Sequence, residues 1–246
     1  YFKFEDYDLV IISDLNLKES EIRLCDLKNV IVIDHHAEHM QLIENYKNAK
    51  PIIKDYSSCT KLIYDTFKLE NKLNKNQKLL VKLIDDYDSY TLNLPFSKPL
   101  NQVFWSYTGD RVSKFENDFK DGFFGFNQFQ KNALKIIENK IERFFKEETI
   151  HKGNLKIGDK NYNVAGVVVT FSPNEIAERI ISTYGVDFVI MINLAGKSVY
   201  MRRSVDCSLN MGIVAAKLMD GGGHADAAGG TLNDTVINIT KLLNKI

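Results

Sequence analysis

An apolar run ends in an aspartate, Asp34, and two histidines, His35 and His36, follow it with no spacer. Carboxylate and imidazole ligands together suit manganese, iron, zinc or cobalt, whereas an all-oxygen set suits magnesium or calcium. Adjacent histidines on a loop do not easily point the same way, so one can bind a metal while the other faces a substrate. Asp34 can accept a hydrogen bond from a histidine ring and fix its tautomer. More acid lies in the stretch IDDYDSY, where Asp85 and Asp88 are three apart and share a face of a helix. A carboxylate bridging two metals would complete a site for in-line phosphoryl displacement by metal-activated water. His39, three residues past His36, reads as a surface histidine.

A second group of residues lies near the other end of the chain, in GGGHADAAGG. Gly221, Gly222 and Gly223 let a ligand approach the main chain, and successive N–H groups can form an anion-binding nest. His224 adds a donor at the same point. Arg202 and Arg203, on an expected strand upstream, offer a guanidinium for bidentate phosphate contact. No Gly-Lys-Ser/Thr follows, so this is not a Walker loop. Tyr56, Trp105 and Phe171 are candidates for stacking on bases, although such aromatics are more often core.

The elements that must position these groups are those of an α/β protein. DLVIISD and NVIVIDHH are two apolar runs joined by a short polar crossover, which suggests parallel strands. Ligands in open α/β sheets bind beyond the carboxyl ends of the strands, where Asp14 and Asp34 both stand. Pro51 opens a further short strand, and Ser57 or Ser58 caps a helix carrying Leu62, Ile63 and Phe67. NKNQKLLVKLIDDYDSY is another helix, and residues 126–148 form a long periodic one without glycine or proline. After it the pattern changes. YNVAGVVVTF is a strand; a helix follows with Ser172 as its N-cap and Pro173 at its first position. DFVIMIN and KSVYMRRS form a hairpin around LAGK, and a last helix starts at Asp234.

Composition narrows the class. Lys and Arg total 32 and Asp and Glu total 32, so no global field attracts nucleic acid, though a local pocket would serve a short substrate. Cys25, Cys59 and Cys207 fit neither a disulfide framework nor a zinc pattern, and a reducing cytosol is the simplest setting. The sequence has no run of membrane-spanning length and no visible signal peptide.

The two motifs together resemble the DHH phosphoesterase superfamily, in the branch whose second domain carries a Gly-Gly-Gly-His motif. That branch includes RecJ-type exonucleases, oligoribonucleases that degrade nanoRNA, and cyclic-dinucleotide phosphodiesterases. VIDHH matches the name motif, GGGHADAAGG matches the second-domain motif, and they occur in the family's order over nearly the whole chain. The resemblance implies a parallel-sheet DHH domain over residues 1–125, a linker helix over 126–150, and a smaller α/β substrate-binding domain over 151–246. It also implies an active site in the cleft between the domains.

The resemblance further implies roles. Asp14 would bridge metals, His35 would be a ligand, and Asp88 would supply the fourth-motif ligand with Asp85 as second choice. His36 would orient the substrate or the attacking water, and Asp34 would support the histidines. Arg203, in RRS, would contact phosphate; Gly222, Gly223 and His224 would bind the terminal phosphate or base. Two Mn²⁺ ions are implied in the intact protein. The family's first motif, His-x-Asp-x-Asp-Gly, is missing from residues 1–8, so the displayed chain is expected to lack a complete dinuclear centre. Either a segment upstream of Tyr1 carries that motif, as the abrupt start favours, or the chain is a truncated or degenerate member.

The implied activity is a cytoplasmic, metal-dependent phosphodiesterase that hydrolyses short RNA or DNA oligonucleotides, nanoRNA above all, to nucleoside monophosphates. A dinucleotide would also serve as substrate; a homodimer is compatible with this reading, and no membrane partner is expected. A cyclic-dinucleotide phosphodiesterase and an inactive nucleotide-binding module are the alternatives. Inorganic pyrophosphatase shares Asp-His-His but not Gly-Gly-Gly-His.

Overall fold

The apolar runs around Asp14 and Asp34 do form parallel strands. A computed structural model describes residues 3–234 and divides into two units, Tyr1–Ile136 and Ile137–Ile246. In the first unit, β1 (Val10–Ser13), β2 (Val30–Asp34) and β3 (Lys50–Ile53) make a three-stranded parallel sheet in that order. Helix α1 (Glu19–Cys25) crosses from β1 to β2, and α2 (Ala37–Met40) follows β2. Strand β2 is covered on both faces, which explains its unbroken apolar run. Val30 and Val32 pack with Ile22 and Cys25, while Ile33 packs with Cys59 and Leu62 of α3 (Cys59–Thr66).

Ser58, not Ser57, caps α3: its hydroxyl accepts from the Lys61 amide at 3.0 Å. Helix α4 (Lys75–Asp88) starts with a reciprocal cap, Asn74 accepting from the Gln77 amide while the Gln77 side chain accepts from the Asn74 amide. Helices α5 (Ser97–Ser106) and α6 (Arg111–Phe119) were not among the expected elements. They close a cluster of Leu83, Leu100, Val103 and Phe119 over α4.

Helix α7 (Gln128–Glu147) contains the boundary between the units. The second unit is built on a six-stranded mixed sheet of order β4-β5-β6-β7-β9-β8. Strands β4 (His151–Ile157) and β5 (Lys160–Val168) form a hairpin; α8 (Pro173–Tyr184) leads to β6 (Phe188–Asn193), parallel to β5. Strand β7 (Ser198–Arg203) returns as the expected hairpin, and α9 (Met211–Leu218), β8 (Gly222–Gly223) and β9 (Ala227–Thr231) complete the unit. Strand β4 escaped the sequence reading because it is an edge strand of mostly polar residues, with little apolar pattern. Ser172 does stand at the N-cap position of α8, with Pro173 next, but its side chain makes no cap bond. Its backbone is left-handed (φ 43°) rather than in the extended conformation from which a capping side chain bonds the helix amides. The helix expected from Asp234 falls on residues 235–246, outside the described residues. Among the described residues no helix is long and apolar enough to cross a membrane.

The end of α4 is fixed by a carboxylate. Asp86 is buried and accepts from the Thr91 hydroxyl (2.7 Å), the amides of Asn93 (2.8 Å) and Leu94 (3.0 Å), and the Ser97 hydroxyl. Burial opposes its charge, yet these donors hold its carboxyl below the usual range. It thereby shapes the turn between α4 and α5. Asp86→Ala leaves these donors without their acceptor, and urea denaturation is expected to show a loss of about 3 kcal/mol.

Candidate functional site

Asp14 ends β1. Its amide still bonds the Ile33 carbonyl at 3.0 Å, continuing the parallel ladder. Its backbone then enters the left-handed region at φ 59°, which aspartate tolerates better than most residues. His35 leaves β2 on the neighbouring strand and is buried. Its Nδ1 lies 3.2 Å from the Tyr56 carbonyl oxygen, which can only accept, so Nδ1 carries a proton. Its Nε2 lies 3.4 Å from Asp14 Oδ1 and 3.4 Å from Asp88 Oδ2. That is long for a hydrogen bond. It matches the roughly 3.0–3.5 Å that separates neighbouring ligands held at about 2.1 Å from one ion. Asp14, His35 and His36 offer ligand atoms all within 4.8 Å of one another. Two carboxylates and an imidazole with an anchored tautomer are a donor set that a divalent transition metal fits.

The Asp14 carboxylate is the chief cause that raises the His35 pKa to about 9; the Tyr56 carbonyl and the Asp88 charge add to it, and burial opposes. His36 is raised too, chiefly by Asp34. Asp34 is fully buried, with Oδ1 at 2.7 Å from His36 Nδ1 and Oδ2 at 2.7 Å from His39 Nδ1. Burial alone would raise its pKa, but the two imidazoles more than offset this and hold the carboxyl well below the usual range. His39 is therefore not a surface residue. It is fully buried, and its Nε2 lies 2.7 Å from the Tyr46 hydroxyl. The expectation failed because a histidine beside Glu38 looks solvated in sequence. The HHAEH spacing was the signal: His36 and His39 are three apart, one turn of helix, and both reach back to Asp34.

Asp85 and Asp88 separate clearly. Asp85 Oδ1 accepts from the hydroxyls of Ser57 (2.5 Å) and Ser58 (2.7 Å), so it ties the end of α4 to the start of α3. Asp88 faces His35. Of the stacking candidates, Tyr56 packs beside Ile33 and Phe171 beside Phe144. Trp105 is exposed, with the Arg111 guanidinium carbon 4.4 Å from its ring centre.

In the second unit the glycine motif forms β8 and the turn into β9. Gly223 has φ 141°, and a Cβ there would stand 2.7 Å from the Ala227 carbonyl oxygen and the Ala228 Cα. A Cβ on Gly222 would meet nothing within 4 Å. The fold thus requires glycine at 223, while Gly222 leaves an uncovered stretch of main chain. His224 is exposed; its amide donates to the Ala227 carbonyl (2.9 Å), and its carbonyl accepts from the Gly212 amide (3.1 Å), fastening the turn to the start of α9. Strand alternation sends the two arginines to opposite faces. Arg202 is buried and donates to Asn174 Oδ1 at 3.1 Å. Arg203 Nε donates to Asp226 Oδ1 at 2.7 Å, and its Nη1 donates to the Cys207 carbonyl. Arg203 is thereby pinned to the turn that carries His224. Asp226 was not anticipated, because nothing in sequence marks the far side of a turn as a partner for a strand residue.

Residues 172–246 match the model of the DHHA1 domain. No curated protein matches the sequence. Among solved structures, the fold is similar to that of a pGpG-specific phosphodiesterase from Vibrio cholerae. The identity is 14%, the TM-score 0.52, and the match covers 96% of this chain and 82% of that one. An exopolyphosphatase-related protein from Bacteroides fragilis is 13% identical with a TM-score of 0.47, covering 98% of this chain and 72% of that one. The likeness is one of fold over nearly the whole chain and one of family over residues 172–246 alone.

The His35 shift gives the metal-free protein a pH signature. Its pKa in the folded chain is raised from 6.5 to about 9, so the stability it contributes is complete below 6.5 and is lost as pH rises through 9. Thermal midpoints of the metal-free protein are expected to fall between pH 6.5 and 9, and His35→Ala to flatten that slope.

Proposed function

We propose that the chain is a metal-dependent phosphodiesterase that hydrolyses short oligonucleotides, nanoRNA in particular, to nucleoside monophosphates. The observation that carries this is His35. Its Nδ1 is anchored on a backbone carbonyl and its Nε2 is 3.4 Å from each of two carboxylates that arrive from different elements. Asp14, His35 and Asp88 would hold a divalent ion; the mixed nitrogen and oxygen set suits manganese, iron, zinc or cobalt, and the family resemblance points to Mn²⁺ among them. Such an ion supplies Lewis-acid polarisation of the phosphoryl group and lowers the pKa of water. Asp34 holds the His36 ring by Nδ1, so the neutral ring carries its lone pair on Nε2, the atom suited to orient a water or a phosphate oxygen. In the second unit, the uncovered main chain at Gly222, the close turn at Gly223, the exposed His224 and the pinned Arg203 supply donors for a terminal phosphate or base.

The likeness to a pGpG-specific phosphodiesterase supports a dinucleotide-sized substrate. Net neutrality agrees, since a grip on long strands uses a basic groove. pGpG is a linear dinucleotide, so this likeness favours a linear substrate over the cyclic alternative.

The test is release of nucleoside monophosphate from a labelled RNA dinucleotide by the full-length protein with Mn²⁺, beside a cyclic dinucleotide. His35→Ala and Asp88→Ala are expected to lower kcat by about 100-fold and to lose bound metal. Wild-type turnover in His35→Ala would overturn the site. His224→Ala is expected to raise KM about ten-fold with metal content unchanged. Gly222→Ala should fold normally and raise KM, whereas Gly223→Ala should lower the melting temperature.

A further inference from the structure

Behind the candidate metal ligands runs a buried chain of side chains: Tyr46 hydroxyl to His39 Nε2, His39 Nδ1 to Asp34 Oδ2, Asp34 Oδ1 to His36 Nδ1, each contact at 2.7 Å. The chemistry of the groups fixes the direction of every bond. An ionised carboxylate only accepts, so both imidazoles present Nδ1–H to Asp34. His39 in its neutral form then has a lone pair on Nε2, and the Tyr46 hydroxyl is the donor that satisfies it. Burial raises the Tyr46 pKa, which keeps that hydroxyl protonated. Asp34 and His39 are both fully buried, so water cannot replace either partner.

From this we infer that His39 and Tyr46 are positioning residues for His36. A carboxylate held at one oxygen can swing about its Cβ–Cγ bond. Holding Oδ2 on His39 fixes the plane of Asp34, and the fixed Oδ1 sets both the orientation and the tautomer of His36. Tyr46 sets His39 in turn. His39 stands five residues beyond Asp34, and Tyr46 comes from the stretch between α2 and β3. The geometry of the site is thus tied to the core cluster that contains Tyr46, Val30 and Val32.

This inference rests on the proposed role of His36, and its test separates the two. Nitrogen-15 histidine spectra of the metal-free protein, at a pH where His36 is neutral, report its tautomer without any turnover. Wild type is expected to show a single Nδ1–H form for His36. Tyr46→Phe and His39→Phe are expected to show a mixture. His39→Gln keeps a donor to Asp34 and should restore most of the Nδ1–H form.

With substrate and Mn²⁺, kcat should fall about ten-fold in His39→Phe and less in Tyr46→Phe, with KM and bound metal near wild type. A purely structural role would instead lower melting temperature and metal content together. An unchanged His36 tautomer in Tyr46→Phe and His39→Phe would overturn the inference. Should His39→Phe fail to fold, Tyr46→Phe and His39→Gln decide it alone. If the wild type hydrolyses none of the dinucleotides, the functional reading falls, and the spectra still decide the tether.

Discussion

The carboxylate of Asp34 is the constraint on which the first unit depends. A charge with no access to water is costly unless its lone pairs are answered inside the protein. Here two imidazoles answer it, one on each oxygen. The arrangement requires a strand that ends inside the core, a turn that brings His36 back over its own strand, and a short helix that returns His39. The apolar run of β2 supplies the first of these, because Val30, Val32 and Ile33 bury the strand on both faces. The same burial that makes Asp34 expensive keeps its partners in place.

A second constraint joins the sheet to α4. One turn of that helix carries three aspartates with three separate tasks. Asp85 accepts from the serines that open α3, Asp86 organises the turn into α5, and Asp88 faces His35. Ser58 links them: its hydroxyl caps α3 and donates to Asp85, and α3 packs on β2 through Cys59 and Leu62. The distance from Asp88 to His35 is therefore set by a continuous path of packed and hydrogen-bonded elements. Rigid support of this kind suits the ion-binding role proposed for these side chains.

The second unit divides its glycines between two purposes. At Gly223 the partner strand comes too close for a side chain, so the residue serves the fold. At Gly222 a side chain would meet only open space, so backbone packing gives no reason for glycine there. The proposed contact with a terminal phosphate or base would supply one. Arg203 is held to the same turn through Asp226, which fixes the guanidinium at the expense of part of its charge.

Much of this was legible in the sequence. The apolar runs that end in acid gave β1 and β2, the Ser-Ser before α3 gave its cap, and the glycine motif pointed to the domain that residues 172–246 match, because they depend on residue types at short, fixed spacing. Polar edge strand β4 and helices α5 and α6 were not legible, since their burial is set by partners distant in sequence. The same holds for the site. Sequence nominated Asp14, Asp34, His35, His36 and Asp88, but it placed His39 at the surface and left Asp85 as an alternative ligand. The tertiary structure buries His39 and places Asp88, not Asp85, beside His35. Whether a histidine is solvated or buried, and which carboxylate of a helical turn meets a given imidazole, depends on which elements pack together, and local spacing does not encode that.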